Sequence, residues 1–331
     1  MEKYNFAGKG LNDKEKKGAS FAIEKKKYLA AEPGQFPNEI PKNKEDIEQI
    51  KRVTDDINRE LENLDLSPDF SVNPYQVHFV SEISESNVMG RYTMENQHIQ
   101  IKEPRSSLSN NPIRLNKYII YNILSRISTL NLDKKKIESE ILIHESIHLH
   151  SHQVHWVDVK NKQLGQYRIG YELEGRENID YFRGFNEAVV QKTTEDIILK
   201  SHPDSNLPNI QKKLFSLRGA YFPEILTLDK IIGKIAKVKN ETREEVWNRF
   251  KKGQFTGEMM HLRDVEKVYG PGALRILASM DTRKSNKLKN FLYYTYFSSD
   301  NKNIKDSIAR ILLRKEKEIK KSYDQHIDKM K

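Results

Sequence analysis

The segment ILIHESIHLHSHQ carries the side chains best suited to chemistry in this chain of 331 residues, in the order His-Glu-x-x-His. His144 and His148 are four residues apart, so on an α-helix they share one face, with Cβ atoms about 5 to 6 Å apart. Two imidazoles so placed can bind one zinc ion. Glu145 would project beside the metal and take a proton from its bound water as general base. The spacing therefore predicts one Zn²⁺ site per chain.

The residues around this motif predict that it lies on a buried helix. Helical spacing extends from about Lys135 to His152, and Asp133 is a candidate cap. Apolar side chains surround the motif on most sides: Ile141, Leu142, Ile143, Ile147 and Leu149. Burying two imidazoles and a carboxylate without strong partners is costly, and a metal ion would supply the partner.

A catalytic zinc site needs a third protein ligand and one open position. Downstream, the segment GFNEAVVQKTTED opens another predicted helix, from about Phe185 to Lys200. Glu187 lies at the start of that helix, where it can direct its carboxylate at a metal held by the earlier helix. Glu195 and Asp196 are two turns further along and are weaker candidates. Glu187 is therefore the strongest of these candidates for the third ligand.

HESIH followed by NEA resembles the gluzincin branch of the zincin metallopeptidases, of which thermolysin is the familiar member. The resemblance covers about residues 75 to 200. It implies that His144, His148 and Glu187 bind zinc and that Glu145 is the base. It also implies a small sheet before the active-site helix, whose edge strand pairs with extended peptide. The segment GRYTMENQHIQI stands where that strand would be.

The chain departs from the thermolysin pattern in two places. The interval between the two motifs is longer and is filled by a predicted hairpin, from WVDV to YELE. Four residues past the third ligand, thermolysin-like proteins carry an Asp that orients a zinc-bound His, and here that position is Gln191. A glutamine oxygen can still accept from an imidazole N–H, but it makes the ligand less basic than a carboxylate would.

Peptide hydrolysis also requires a group that stabilises the oxyanion. Gluzincins commonly use a Tyr or His distant from the zinc motifs, and Tyr171, Tyr181 and Tyr221 are candidates in this chain. We favour Tyr221, which precedes a predicted helix in GAYFPEI. The alternative for such a residue is a packing role with a satisfied hydroxyl.

The periodicity of the remaining chain predicts an α+β fold with an all-helical C-terminal subdomain. The resemblance to gluzincins implies that the part before this subdomain is a zincin-like core with a small mixed sheet and the active-site helix. Residues 1–45 are predicted as a flexible N-terminal arm, 46–200 as the catalytic domain and 201–331 as the helical subdomain. Strands are expected at Tyr75–Phe79, in GRYTMENQHIQI and in the later hairpin. Further helices are expected over 43–64 and 113–130, and from Pro208 onward with breaks at Gly253, 269–272 and 298–302.

Composition narrows the class of protein. Hydrophobic residues make up 37% and charged residues 31%, as in soluble globular proteins. No run approaches the roughly 20 apolar residues that span a bilayer. The chain has no cysteine, so a metal site must use His, Asp or Glu. The N-terminus has no apolar segment of signal-peptide length, which favours a cytoplasmic location.

The expected partner is a peptide or protein substrate. The net charge of +10 is spread along the chain and no nucleic-acid-binding motif accompanies it, so specific nucleic-acid binding is not expected. Two alternatives stay open. One is a non-catalytic binding protein on a zincin scaffold, and the other is a basic nucleic-acid-associated protein in which HESIH is accidental.

Overall fold

The protein is a mixed α and β structure with small mixed sheets and several helices. The computed structural model describes residues 4–7, 11–30, 36, 38–68, 71–81, 83, 90–93, 97–102, 134–158, 163–174, 180–201, 221–280 and 287–313. The helix predicted over 113–130 and the Lys-rich segment after 313 lie outside these ranges. Contacts between residues group the chain into two units, which are described in turn.

The first unit comprises residues 1–169 and 192–219. The described part of this unit includes the helices α1 (Asp13–Ala30), α2 (Lys44–Asn63) and α3 (Lys134–His150). One sheet has the strand order β2 (Glu39–Ile40), β3 (Val77–Val80), β5 (His98–Lys102) and β4 (Gly90–Thr93). The β3–β5 pair is parallel and the other two pairs are antiparallel, so this sheet is mixed and precedes α3 in the chain. The antiparallel pairing of β4 with β5 confirms the predicted strands of GRYTMENQHIQI.

A second set of strands in this unit contains the other predicted hairpin. These strands are β1 (Asn5–Ala7), β6 (Gln153–Asp158) and β7 (Gln163–Ile169). β6 and β7 pair antiparallel, as predicted, and β1 pairs parallel with β6. Residues 1–45, predicted as a flexible arm, thus contain two strands that join sheets and a helix whose Ile23 is fully buried. Because α1 is rich in lysine, its sequence gave little indication that Ile23 would be buried.

Helix α2 shows how local sequence sets the elements of this unit. Asn43 caps it through a capping box with Asp46, which satisfies backbone N–H groups of the first turn. Apolar side chains at helical spacing point inward and are buried: Ile50, Val53, Ile57 and Leu61. The helix packs against α3, where the Gln49 side chain donates to the Ser139 hydroxyl at 2.8 Å.

The second unit comprises residues 170–191 and 220–331. It contains the antiparallel pair β8 (Glu172–Glu174) and β9 (Asp180–Tyr181), and the first half of α4 (Arg183–Ser201). Its other helices are α5 (Phe222–Lys239), α6 (Arg243–Thr256), α7 (Arg263–Tyr269), α8 (Ala273–Ala278) and α9 (Lys287–Ser298). Residues 302–313 are also helical. The grouping therefore divides α4 after Gln191, whereas the sequence predicted a linear boundary near residue 200.

The predicted helix break at Gly253 is wrong, because α6 continues to Thr256 and ends at Gly257, whose φ is +78°. A Cβ on Gly253 would collide with the hydroxyl of Tyr171 and the ring of His261. This glycine permits close packing on a helix and does not end one. The breaks predicted at 269–272 and 298–302 are confirmed, since α7 ends at Tyr269 and α9 at Ser298. No helix in the described ranges is long and apolar enough to cross a bilayer.

Candidate metal centre

Helix α3 presents His144 and His148 from successive turns into the protein interior. The side chains are 7% and 8% exposed, and their ring centroids are 5.0 Å apart. Their Nε2 atoms face each other at 3.3 Å. Two nitrogens bound to one tetrahedral zinc at 2.0 to 2.1 Å lie about 3.3 Å apart, by simple geometry. The paired imidazoles therefore have the separation that a shared metal requires.

Glu187, in the first half of α4, supplies a carboxylate to the same place. One ligand atom from each of His144, His148 and Glu187 lies within 4.8 Å of the other two, and all three residues are buried. In the part of the chain that the structure describes, this is the only such group of three or more His, Asp or Glu side chains. Two imidazoles and one carboxylate form a donor set that catalytic zinc sites use, so these residues fit the predicted ion.

The predicted base, Glu145, lies under the edge strand of the four-stranded sheet. Helix α3 packs against β4 and β5, and the Glu145 side chain is 9% exposed. A Cβ on Gly90, the first residue of β4, would lie 2.8 Å from Glu145 Oε1 and 3.0 Å from its Cγ, and would also collide with Ile141. Only glycine permits so close an approach of the strand to the carboxylate. The sequence analysis did not predict this role of Gly90. The available indication was a single glycine at the start of a predicted strand, which can mark a close approach of the backbone to another group.

We expect Gly90→Ala to destabilise the protein by about 1 to 3 kcal/mol, the usual cost of forcing an extra methyl group into packed side chains. The measurement is the free energy of unfolding by denaturant. Gly18→Ala is the matched control, since Gly18 lies in α1 with nothing within 4 Å of its added Cβ. An alanine there should stabilise the helix by about 0.5 to 1 kcal/mol. Equal effects of the two substitutions would contradict the close approach of β4 to Glu145.

Within the second unit, Glu187 lies among other carboxylates. One turn before it, Arg183 Nη1 is 3.4 Å from Glu172 Oε1 and 3.3 Å from Asp180 Oδ2. Burial opposes the charge on Arg183, but the carboxylates of Glu172, Glu187 and Asp180 outweigh it and raise the pKa of the guanidinium. Burial, followed by the negative charge of Glu187, raises the pKa of Glu224. Carboxylates thus outnumber this arginine around Glu187, an environment that favours a cation.

The remaining predicted residues occupy varied positions. Gln191 is 3% exposed on α4. Tyr221 lies at the N-cap of α5 in the left-handed region, with φ +69°. Its role as an oxyanion group stays a prediction. Tyr171 has a packing role, because its hydroxyl donates to the Phe250 carbonyl at 2.8 Å and contacts His261 Nε2 at 2.5 Å. Tyr181 is 36% exposed on β9.

Comparison of the chain with protein-family models, with curated proteins and with solved structures finds no significant match. The resemblance to gluzincins therefore stays an expectation from the two sequence motifs.

Proposed function

We propose that this protein is a zinc-dependent metallopeptidase with a zincin-like core. The observation that carries the proposal is the buried group of His144, His148 and Glu187, in which the two imidazole nitrogens are 3.3 Å apart. The placement of Glu145 on the same helix, next to a metal ligand, supports hydrolysis because a base is then available beside the ion.

Each residue has a part in the proposed reaction. A bound zinc ion would polarise the scissile carbonyl and lower the pKa of its water towards about 7. His144, His148 and Glu187 would hold the ion. Glu145 would accept a proton from the attacking water and return it to the leaving amine as the peptide bond breaks. Tyr221 is the proposed oxyanion group.

The position of β4 supports a peptide as the substrate. Among the residues that the structure describes, β4 is the last strand in its sheet order and pairs with β5. An extended peptide can pair with a last strand of this kind through main-chain hydrogen bonds. Because Gly90 of this strand lies against Glu145, a peptide bound along β4 would pass close to the proposed base.

A non-catalytic binding protein on the same scaffold is the second candidate. It is favoured by Gln191, a buried amide at a position where thermolysin-like enzymes carry a carboxylate. Both candidates predict bound metal, and they differ in turnover.

Metal analysis and a peptide library together test the proposal. We expect about one zinc per purified chain, as for a single three-ligand site. Cleavage of library peptides should stop on chelation and return when zinc is restored. Bound zinc without any turnover would indicate the non-catalytic alternative. A chain that takes up no zinc at neutral pH would contradict both.

A further inference from the structure

The solvent side of α1 carries large apolar side chains that the proposed reaction does not use. Phe21 and Tyr28 are each 72% exposed, and Leu29 is 46% exposed. Phe21 and Tyr28 are seven residues apart, which is about two turns of an α-helix, so they lie on the same side of α1. The opposite side carries Ala19 and Ile23, which are buried. The helix therefore has one apolar side in the interior and a second in solvent.

Lysines alternate with these apolar side chains along the helix. Lys14, Lys17 and Lys25 are exposed, and steps of three or four residues lead from Lys14 through Lys17, Phe21 and Lys25 to Tyr28. Residues at such steps are neighbours on one helix face. Each apolar side chain of this face thus has a lysine one turn away. We call the set the outward face of α1, and it consists of Lys14, Lys17, Phe21, Lys25, Tyr28 and Leu29.

The acidic residues of α1 lie away from the middle of this face. Glu24 Oε1 accepts a hydrogen bond from the Tyr4 hydroxyl at 2.6 Å. Glu15 Oε2 accepts from the backbone N–H of Asn12 at 2.8 Å. Asp13 is exposed, but it lies in the first turn, two turns before Phe21. The outward face itself therefore carries three positive charges and no acidic residue.

Charge and shape together indicate what this face binds. Lysine ammonium groups attract an anionic surface, whereas Phe and Leu side chains gain free energy only where water is excluded. A second copy of the chain would bring three lysines against three lysines, so pairing of like faces is disfavoured. Single-stranded nucleic acid is bound in a positively charged groove, and the outer side of a helix is convex. An anionic bilayer offers negative headgroups above an apolar layer, which matches both kinds of side chain.

We infer that α1 docks the protein on the surface of membranes that contain anionic phospholipid. The helix would lie in the plane of the bilayer, with Phe21 and Leu29 at the boundary of the acyl chains and the Tyr28 hydroxyl among the headgroups. The three lysines would extend their ammonium groups to lipid phosphates while their stems cover apolar surface. This docking is independent of the proposed peptidase function.

Cosedimentation of the full chain with vesicles tests the inference. We expect binding to vesicles of phosphatidylcholine and phosphatidylserine to be at least about tenfold tighter than binding to phosphatidylcholine alone, since each lysine near an anionic surface contributes about fivefold. The preference should decrease as salt is added, because counterions screen the charges. Equal binding to both kinds of vesicle at low salt, or no binding to the mixed vesicles, would overturn the inference.

Replacing the lysines of the outward face separates docking by α1 from attraction to the whole basic protein. A triple variant with Lys14→Gln, Lys17→Gln and Lys25→Gln should bind mixed vesicles about 100-fold more weakly at low salt. The matched control changes the net charge equally through exposed lysines of the second unit: Lys237→Gln, Lys267→Gln and Lys302→Gln. The control should bind nearly as the wild type does. Equal weakening in the two triple variants would refute docking by α1.

Phe21→Ser separates a membrane from other polyanions, because only a bilayer gives this side chain an apolar layer to enter. We expect it to weaken binding to mixed vesicles by at least about tenfold, as for an aromatic side chain that loses its burial. Phe291→Ser is the matched control, since Phe291 is 62% exposed on α9. If the lysine variant loses binding while Phe21→Ser does not, the face binds polyanions by charge alone and the inference is wrong. Tighter binding of wild type to a single-stranded oligonucleotide than to mixed vesicles would also contradict it.

A fluorescent label shows directly whether α1 enters the lipid. The chain has no cysteine, so Phe21→Cys provides a single attachment point for a dye that brightens in apolar surroundings. Emission from this position should rise on mixed vesicles, and emission from labelled Phe291→Cys should not. Bound protein with unchanged emission at position 21 would mean that another surface contacts the membrane. None of these measurements involves the metal centre, so their failure would leave the proposed peptidase function untouched.

Discussion

Glu145→Gln is expected to keep the metal and to lower the rate of peptide hydrolysis by about 10² to 10⁴-fold, the usual contribution of a general base. The amide has nearly the same shape as the carboxylate, so the packing of Glu145 beneath Gly90 should persist. An amide cannot accept the proton from the attacking water. The loss should therefore appear in kcat, with zinc content unchanged by metal analysis.

Glu140→Gln is the matched control for this substitution. Glu140 lies on the same helix, outside the HESIH motif, and removing its charge alters the net charge by the same amount. Its variant should retain hydrolysis and zinc. If Glu145→Gln hydrolyses peptides at the wild-type rate, Glu145 is not the base. If it loses zinc as well as activity, its role is in holding the metal.

Glu187→Gln is expected to weaken zinc binding by at least about 100-fold, more than is typical for loss of a group that only orients a ligand. The substitution removes the anionic member of the proposed ligand set and leaves two neutral imidazoles. It also removes one of the carboxylates that raise the pKa of Arg183, which leaves the surroundings less favourable to a cation. Competition for zinc with a coloured chelator measures the change in affinity.

Glu195→Gln separates this effect from a general loss of charge. Glu195 lies on the same helix, two turns after Glu187, and is also buried, at 7% exposed. Its variant should bind zinc with wild-type affinity, since Glu195 is outside the group of three ligands. Unfolding of both variants without metal should be compared, so that weaker binding is not confused with a weaker fold. Equal loss of affinity in the two variants would remove Glu187 from the ligand set.

The elements that depend on neighbouring residues could be predicted from the sequence. Helix α2 was predicted over 43–64 and spans Lys44–Asn63, because its cap and its apolar spacing are both local. The facing of His144 and His148 likewise follows from the helical repeat, which places residues four apart on one side. The hairpin strands were found for the same reason, since alternation and turns are encoded within about ten residues.

Features that join distant parts of the chain were decided by the tertiary structure. The motif suggested Glu187 as a ligand, but only the fold brings its carboxylate near imidazoles about 40 residues earlier. In the sequence, Gly90 and Gly253 look like residues of a turn or a helix break. In the structure, each glycine lies so close to neighbouring side chains that a Cβ would collide with them. Hydrogen bonds between residues far apart in the chain likewise join His78 to Glu39 and His98, and His98 to the Lys27 carbonyl.

The physical reason for this division is the range of the interactions. Helical and strand periodicity come from backbone hydrogen bonds and side-chain directions that repeat over a few residues, so they can be read from a short window. Which buried polar group meets which partner depends on how the elements pack, and no local pattern specifies it. The sequence by itself therefore determined the helix that carries HESIH. Only the folded chain determined which partners Glu187, Gly90 and the pair of His78 and His98 meet.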